Sequence, residues 1–191
     1  MKNIFLISVF LLSLLCINCS DESRIEGLVF SDNIVVNNIN KEIVIVPNSN
    51  VSTLISMDIN GKTQVFSIDY TQYKNNGIVN QYIVKLNVPL PMGVMKSNGD
   101  AVYNLKFGDQ IGTNGGYFNG YFSLLQTLNG NTTNNAANTV KLNEPFYIGF
   151  NTNKGSENAA YGWIQVTITF DKITISSYGY RMLKPLSAGE K

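Results

Sequence analysis

The sequence predicts an all-β protein, an antiparallel β-sandwich with a jelly-roll-like or related Greek-key order of strands. After residue 18, apolar and polar residues repeatedly alternate with period two, and no window shows the 3.6-residue period of an amphipathic helix. Turn signals separate these runs at short intervals, and many of the 26 asparagines fall between them. About ten short strands joined by turns are typical of a sandwich.

The first 18 residues predict an export signal that is not part of the fold. Lys2 precedes an apolar run over residues 4–17, which is shorter than the roughly 20 apolar residues of a membrane-spanning helix. The run ends in cysteine and not in an A-x-A cleavage site. It therefore resembles a bacterial lipoprotein leader, in which the cysteine after the cut receives lipid.

Two cysteines compete for that lipid. Cys19 is favoured over Cys16 because the polar residues 20–22 follow it directly, whereas Ile17 follows Cys16. The alternative is an ordinary cleaved signal peptide that leaves a lone free thiol. Two or three acyl groups on Cys19 would hold the protein on a membrane, since one chain alone binds only marginally. The expected organisation is a lipoprotein signal peptide over residues 1–18, a lipidated cysteine with a polar tether over residues 19–26 and a single β-sandwich domain over residues 27–191.

The residues around Cys19 also predict a location. Loose lipoboxes of this kind are familiar in Bacteroidetes-type lipoproteins, where acidic residues just after the cysteine resemble a surface-export signal. Ser20, in the place where aspartate would retain a lipoprotein at the inner membrane, favours the outer membrane. The expected location is the outer membrane, lipid-anchored, on its periplasmic or surface-exposed face.

Composition limits the partners and the chemistry. The chain carries 14 basic and 13 acidic side chains, and loss of the leader removes Lys2, so no basic excess remains to attract nucleic acid. There is no histidine, which excludes Ser-His-Asp triads, Cys-His dyads and HExxH zinc sites. With Cys19 lipidated, no Cys/His zinc site or disulfide can form either. No metal and no cofactor are expected.

The strands can be followed from the N-terminal side. The apolar run at 43–46, "IVIV", predicts a strand buried on both faces, and Asn60-Gly61 between two strand-like runs predicts a hairpin. Residues 81–88 alternate cleanly until Pro89 and Pro91 end the strand. A turn at Asn98-Gly99 then leads into a further alternation over residues 103–107.

Two loops and one strand fill the middle of the chain. The glycine-rich residues 108–120 predict a loop that bends into a strand over residues 121–127. The polar, low-complexity residues 129–139 predict an exposed mobile loop. Both long connections are expected to gather at the ends of the strands.

Three consecutive antiparallel strands are expected in the C-terminal third. "PFYIGFN" and "YGWIQVTITF" flank a polar turn, and Asp171-Lys172 turns the chain into "ITISSYGYRML". The apolar phase of this last strand changes near Ser176-Ser177, which predicts a β-bulge.

This third of the chain resembles the C-terminal region of uncharacterised exported bacterial lipoproteins of the Bacteroidetes type. The pattern is carried by residues 147–150, 161–163, 178–180 and Ala188-Gly189, and the upstream "LKFGDQIG" at 105–112 also resembles a piece of it, so the resemblance covers about half of the mature chain. The resemblance implies a β-sandwich and no known activity. A histidine that usually precedes the Y-G-W motif is replaced by Ala160.

Two interpretations of the aromatic residues stay open. The aromatic residues of the paired strands can cover Gly149 and Gly162 of the neighbouring strand, which shields exposed backbone. Alternatively, Tyr161 and Trp163 stack on a sugar ring. The residues that would form such a stacking site are Tyr161, Trp163, Tyr117, Phe118 and Tyr121.

Catalysis by carboxylates is not expected. Asn143-Glu144-Pro145 resembles the acid/base motif of barrel glycosidases, but the chain lacks the length and helices of a barrel. Asp109 with Glu144 or Glu157 would be the pair for a glycosidase on a sandwich. "DINGK" at 58–62 echoes a calcium loop without a closing acid, so a hairpin turn is expected there.

These observations favour a non-catalytic, lipid-anchored protein of the outer membrane or cell surface that functions in binding or adhesion. Its partners would be the membrane, through the anchor, and a glycan or a surface protein. One alternative is a scaffold subunit of a surface assembly, and another is a sandwich glycan hydrolase or lyase.

Overall fold

The computed structural model describes residues 33–97, 99–112, 115–128, 131–132 and 140–191, without the side chains of residues 128, 131 and 132. The predicted signal peptide over residues 1–18, the lipidation site at Cys19 and the rest of the tether over 19–26 lie outside the described residues, as do Asn98 and most of the loop over 129–139. Among the described residues, no helix has the length and hydrophobicity needed to cross a membrane.

Thirteen β-strands are found in the described residues, and the predicted antiparallel β-sandwich is confirmed. The strands are β1 (Val35–Val44), β2 (Ser49–Ile59), β3 (Lys62–Asn75), β4 (Ile78–Val88), β5 (Met92–Met95), β6 (Gln110–Ile111), β7 (Tyr117–Phe118), β8 (Gly120–Leu128), β9 (Asn131–Thr132), β10 (Pro145–Thr152), β11 (Ala160–Ile168), β12 (Lys172–Met182) and β13 (Leu186–Ser187).

Two large antiparallel sheets form the layers of the sandwich. The six-stranded sheet has the order β1-β12-β11-β10-β5-β7, and the five-stranded sheet has the order β2-β3-β4-β8-β9. β6 and β13 form a separate two-stranded sheet. Within the six-stranded sheet, the hairpin-connected strands β10, β11 and β12 return beside β1, which is the strand order of a Greek key.

The inner faces of both large sheets form one core. On β4, Tyr82, Val84, Leu86 and Val88 are fully buried, as the alternation over residues 81–88 predicts. They pack with alternate side chains of the facing sheet, such as Ile164 of β11. Period two along each strand therefore specifies which side chains fill the space between the sheets.

Turn and bulge chemistry fixes the register of the strands. Asn60 and Gly61 both have positive φ, at 52° and 72°, and join β2 to β3 as predicted. A second pair, Asn76-Gly77, makes the same turn between β3 and β4. In β12, Ile175 and Ser177 pair with consecutive residues of β11, so Ser176 is the extra residue of the predicted bulge.

Two sequence predictions are wrong. In the run 43–46, Val44 and Val46 are 69 % and 54 % exposed, because β1 lies at a sheet edge and one face of this segment is open to solvent. Residues 103–107 do not form a strand. Within this segment, Leu105 lies beside β10 and makes only an isolated antiparallel bridge to Tyr147.

A second cluster covers the opposite face of the six-stranded sheet. We call it the outer cluster, and it consists of Leu105, Ile111, Ala159, Tyr161, Trp163, Leu186 and Ala188. Four of these side chains come from two segments: Leu105 and Ile111 from residues 99–112, which contain β6, and Leu186 and Ala188 from the C-terminal tail, residues 183–191. As a result, β11 is buried on both faces along most of its length.

Candidate functional site

Tyr161 and Trp163 are packing residues in this structure. Their exposed fractions are 5 % and 2 %, and both belong to the outer cluster. A sugar ring needs an open aromatic face on which to stack, and these two rings do not offer one. The sequence interpretation that placed a stacking site on them is therefore corrected, because the C-terminal tail covers the face of β11 on which they lie.

The indole of Trp163 fits in its position because the residue opposite it in β12 is a glycine. A Cβ atom at Gly179, opposite Trp163 in β12, would lie 2.5 Å from Cζ2 of the indole, so only glycine leaves room for the ring. Tyr147 contacts the indole edge-on, with ring centroids 5.5 Å apart. The expectation that aromatic rings cover strand glycines holds for Gly162, which lies under Phe150.

Gly149 differs from that expectation. A Cβ atom there would meet Sδ of Met95 at 2.7 Å and Cδ1 of Leu105 at 3.0 Å, so aliphatic side chains cover it instead of an aromatic ring. The pairing of the strands explains this difference. Trp163 lies opposite Gly149 in β10 and opposite Gly179 in β12, and its indole leans toward Gly179, so it does not cover Gly149.

The last residues of the tail are held in place by specific contacts. Nη2 of Arg181 lies 3.1 Å from Oε1 of Glu190, and the backbone N–H of Ser187 donates to Oε2 of the same carboxylate at 2.7 Å. Gly189 has a φ of +76°, and a Cβ atom there would lie 2.5 Å from Phe107. The Ala188-Gly189 ending thus serves to close the outer cluster.

A groove with a volume of about 390 Å³ opens where β10 ends. We call it the asparagine groove, and its lining residues are Leu90, Pro91, Met92, Gly93, Tyr117, Asn119, Asn151, Asn153, Lys154 and Ser156. The loop between β10 and β11 supplies one wall, and the segment leading into β5 supplies another. The backbone N–H of Asn153 donates to the carbonyl oxygen of Pro91 at 3.2 Å and joins the two walls.

The three asparagines of the groove differ in their hydrogen bonds. Asn151 is buried, and its Nδ2 donates to the carbonyl oxygen of Ala160 at 2.9 Å, which fixes the amide. The side chains of Asn119 and Asn153 make no hydrogen bond with another described residue. Each of these two amides can therefore both donate to and accept from a ligand in the groove.

Tyr117 forms the aromatic part of the groove. Its hydroxyl donates to the carbonyl oxygen of Gly112 at 2.9 Å, and burial, with a further contribution from Tyr161, raises the pKa of this phenol. Nζ of Lys154 lies 5.6 Å from the centre of the ring and donates to the carbonyl oxygen of Gly115 at 3.1 Å. Lys154 must move aside before a ligand can stack on that face of the ring.

Phe118 and Tyr121 are exposed but lie outside the groove lining. Successive side chains of a strand point to opposite faces, so Phe118 lies on the side of Val94, whereas Tyr117 lies on the side of Met95. Tyr121 belongs to β8 of the other large sheet. Of the five predicted stacking residues, the structure brings Tyr161 and Trp163 together in the outer cluster and packs Tyr117 against it, with the rings of Tyr117 and Tyr161 6.0 Å apart between centroids.

Of the three carboxylates considered for catalysis, Glu144 and Glu157 lie far apart and Asp109 caps a turn, while the pairing of Asp109 with either glutamate stays a prediction. Glu144 and Glu157 flank β10 at its two ends, and eight strand residues at about 3.3 Å each separate them far more than the roughly 5–10 Å of a glycosidase pair. Asp109 caps a turn by accepting from the backbone N–H of Lys106 at 2.7 Å. Within the described residues, no three His, Cys, Asp or Glu side chains are close enough together to hold a metal ion.

Asn151, Asn153 and Lys154 are missing from the residues predicted from the sequence. From the sequence alone, the string "NTNKGSEN" indicates only a turn. Its side chains form part of a groove because the fold brings them next to Pro91 and Tyr117, which are distant in the chain. The one usable signal was the cluster of asparagines directly after a buried strand.

No protein-family model matches the chain, and neither a curated protein nor a solved structure is significantly similar to it. The relationship to exported lipoproteins therefore stays a prediction.

Proposed function

We propose that the protein is a non-catalytic binding protein of the bacterial outer membrane, anchored by lipid at Cys19, and that a glycan binds in the asparagine groove. The observation that carries the proposal is the pair of amides of Asn119 and Asn153, which make no hydrogen bond with another described residue, beside the ring of Tyr117 in one groove.

Amide groups and an aromatic face suit a sugar. Each amide offers a donor and an acceptor, which match the neighbouring hydroxyl groups of a sugar ring. An aromatic ring packs against the apolar C–H face of the same ring. The groove volume of about 390 Å³ falls at the lower end of the range of roughly 300–1,000 Å³ for small-molecule sites, so a short oligosaccharide segment fits.

The lining favours binding over catalysis. The groove residues include neither a carboxylate nor a thiol nor an imidazole among those that the structure describes. Their ionisable groups are the ammonium of Lys154 and the phenol of Tyr117, whose pKa is raised by burial. A neutral phenol that already donates to a backbone carbonyl is poorly placed to take a proton from a substrate.

Glycan binding is tested with the protein expressed from the full chain in bacteria and purified from the membrane in a mild detergent, on an array of neutral and acidic oligosaccharides. Asn119→Ala and Asn153→Ala are each expected to weaken binding about two- to tenfold, which corresponds to one lost hydrogen bond. The matched control is Asn38→Ala, which removes an exposed asparagine at the far edge of the same sheet. Binding that is absent across the array, or equal in all three variants, contradicts the proposal, and so does release of reducing sugar.

The anchor has its own test. Cells that express the protein are fed a labelled fatty acid, and the label is expected in wild type and in Cys16→Ala but not in Cys19→Ala. Label retained in Cys19→Ala would show that another residue carries the lipid. An unlabelled wild-type protein would remove the anchor from the proposal and leave the groove untouched.

A further inference from the structure

The strand β2 is the long open edge of the five-stranded sheet. It pairs with β3 over eleven consecutive residues with no break in register. Among the described strands, none pairs with its other side. Such an edge presents a row of unpaired N–H and C=O groups and is a template for another strand.

The other three edges of the two large sheets are protected. β1 carries a bulge between Asn38 and Lys41 and the charged pair Lys41-Glu42. β7 and β9 are two residues long each. Bulges, charges and short length are the devices with which natural sheets discourage strand addition. β2 has none of them, since Ser49–Ile59 contains no lysine, arginine or proline and only one acid, Asp58.

Hydrogen bonds from the facing sheet show which groups of β2 point outward. The backbone N–H of Asp58 donates to the hydroxyl of Tyr178 at 3.0 Å, and that hydroxyl donates to the carbonyl oxygen of Asp58 at 2.8 Å. Backbone groups alternate in direction along an antiparallel strand, so those of residues 50, 52, 54 and 56 also point away from β3. Tyr178 closes one end of the edge and leaves these four residues open.

We propose that two copies of the chain associate through β2, antiparallel and centred on Leu54. In this register Leu54 faces Leu54 of the second copy and Ser52 faces Ser56, and the paired segment ends before Asp58, whose outward backbone groups bond to Tyr178. Leu54 is 71 % exposed in the single chain, so the pair buries two apolar side chains. No like charges meet, because the paired segment, residues 50–56, has no charged side chain.

The same register explains why a second copy, and not an unrelated strand, is the partner. A two-fold axis at Leu54 makes the strand complementary to itself, which is the requirement for an isologous dimer. Pairing uses the one unprotected edge that the described strands of each copy offer, so assembly ends at two copies. This inference is independent of the glycan proposal, because no residue of β2 lines the asparagine groove.

The test uses variants that change the outward edge and spare the pairing with β3. Ser56→Pro removes an outward N–H and thereby two hydrogen bonds of the dimer, whereas Ser56→Ala loses only the hydroxyl. Sedimentation of the full chain in mild detergent is expected to show a dimer, with a dissociation constant raised roughly thirtyfold in Ser56→Pro and unchanged in Ser56→Ala. Leu54→Lys, at an exposed position that tolerates the change, is expected to weaken the dimer as well, because it places two ammonium groups together.

Amide hydrogen exchange gives a second readout. The N–H groups of Ser52, Leu54 and Ser56 are expected to exchange slowly at high protein concentration and quickly on dilution. Those of Thr53 and Ile55, which bond to β3, are expected to stay protected throughout. A monomer up to the solubility limit overturns the proposal, and so does a dimer that survives both Ser56→Pro and Leu54→Lys.

Discussion

Replacement of Gly179 by alanine tests whether Trp163 seals the outer face of the six-stranded sheet. The added Cβ atom would lie 2.5 Å from Cζ2 and 2.6 Å from Cε2 of the indole, about 1 Å inside the normal carbon–carbon contact of roughly 3.5–4.0 Å. The indole has little room to retreat, because it is buried and Tyr147 stands edge-on against it. Either the ring or strand β12 must shift.

Two effects of opposite sign set the magnitude. Overpacking of a core costs about 1–3 kcal/mol. Alanine is favoured over glycine in a strand by about 0.5–1 kcal/mol, which offsets part of this cost. The expected net loss for Gly179→Ala is therefore about 1–2 kcal/mol, or a decrease in Tm of roughly 2–8 °C for a domain of this size.

Fluorescence reports on the change directly, because Trp163 is the only tryptophan of the chain. Thermal unfolding followed by its emission gives the loss of stability, and a red shift of the folded protein's emission would indicate a displaced indole. Gly112→Ala is the matched control, since a Cβ atom there meets Pro185 at an ordinary 3.6 Å, and no destabilisation is expected.

A double-mutant cycle decides whether the clash is the cause. All four proteins of the cycle are unfolded by heat and followed by far-UV circular dichroism, because Trp163→Leu removes the only tryptophan. In the Trp163→Leu background, alanine at 179 meets no indole and is expected to cost little, which gives a coupling energy of about 1–2 kcal/mol. If Gly179→Ala costs as much in that background as in wild type, the reasoning is refuted, because the loss then comes from the backbone of β12 and not from the ring.

Three further outcomes are expected. Burial raises the pKa of the phenols of Tyr82 and Tyr117, so both stay protonated in the folded protein at pH values where the unfolded chain ionises them. Their contribution to the free energy of unfolding is therefore complete below about pH 10 and decreases above it. Tyr82→Phe should make this decrease less steep, measured by denaturant titrations at several pH values. Glu190→Gln weakens the contact with Arg181 and should destabilise the fold by about 1 kcal/mol in urea unfolding, with faster proteolysis of the C-terminal tail. Gly61→Ala places a side chain at a φ of +72° and should cost about 1 kcal/mol, measured by the same unfolding, whereas an unchanged midpoint would contradict the turn assigned to β2–β3.

Much of the sandwich could be predicted because its signals are local. The Asn60-Gly61 turn, the alternation over residues 81–88 and the bulge at Ser176 each depend on a few neighbouring residues. The two errors concern neighbours in space. Residues 43–46 resemble a central strand, yet β1 lies at an edge, and nothing within the run itself specifies its position in the sheet order.

The candidate site could not be predicted for the same reason. Its lining comes from three separate segments around Pro91, Tyr117 and Asn153, which only the sheet order brings together. The period-two alternation correctly places Trp163 and Ile164 on opposite faces of β11. It does not show whether either face is exposed to solvent. That depends on residues 183–191, which fold back over β11.

The residues of the C-terminal pattern are packing residues, which limits what the pattern can indicate about function. Its glycines and aromatic rings are used in this chain for packing: an added Cβ at Gly179 or Gly189 would meet a ring on the outer face of the sheet, and one at Gly162 would meet Phe150 of the core between the sheets. A pattern made of such residues specifies a sandwich and places no constraint on a ligand, since fold and function are separable. The polar side chains of the groove lie in loops just beyond the sealed region. We therefore expect chains that share the pattern to share this architecture, whatever residues occupy positions 119 and 153 of the groove.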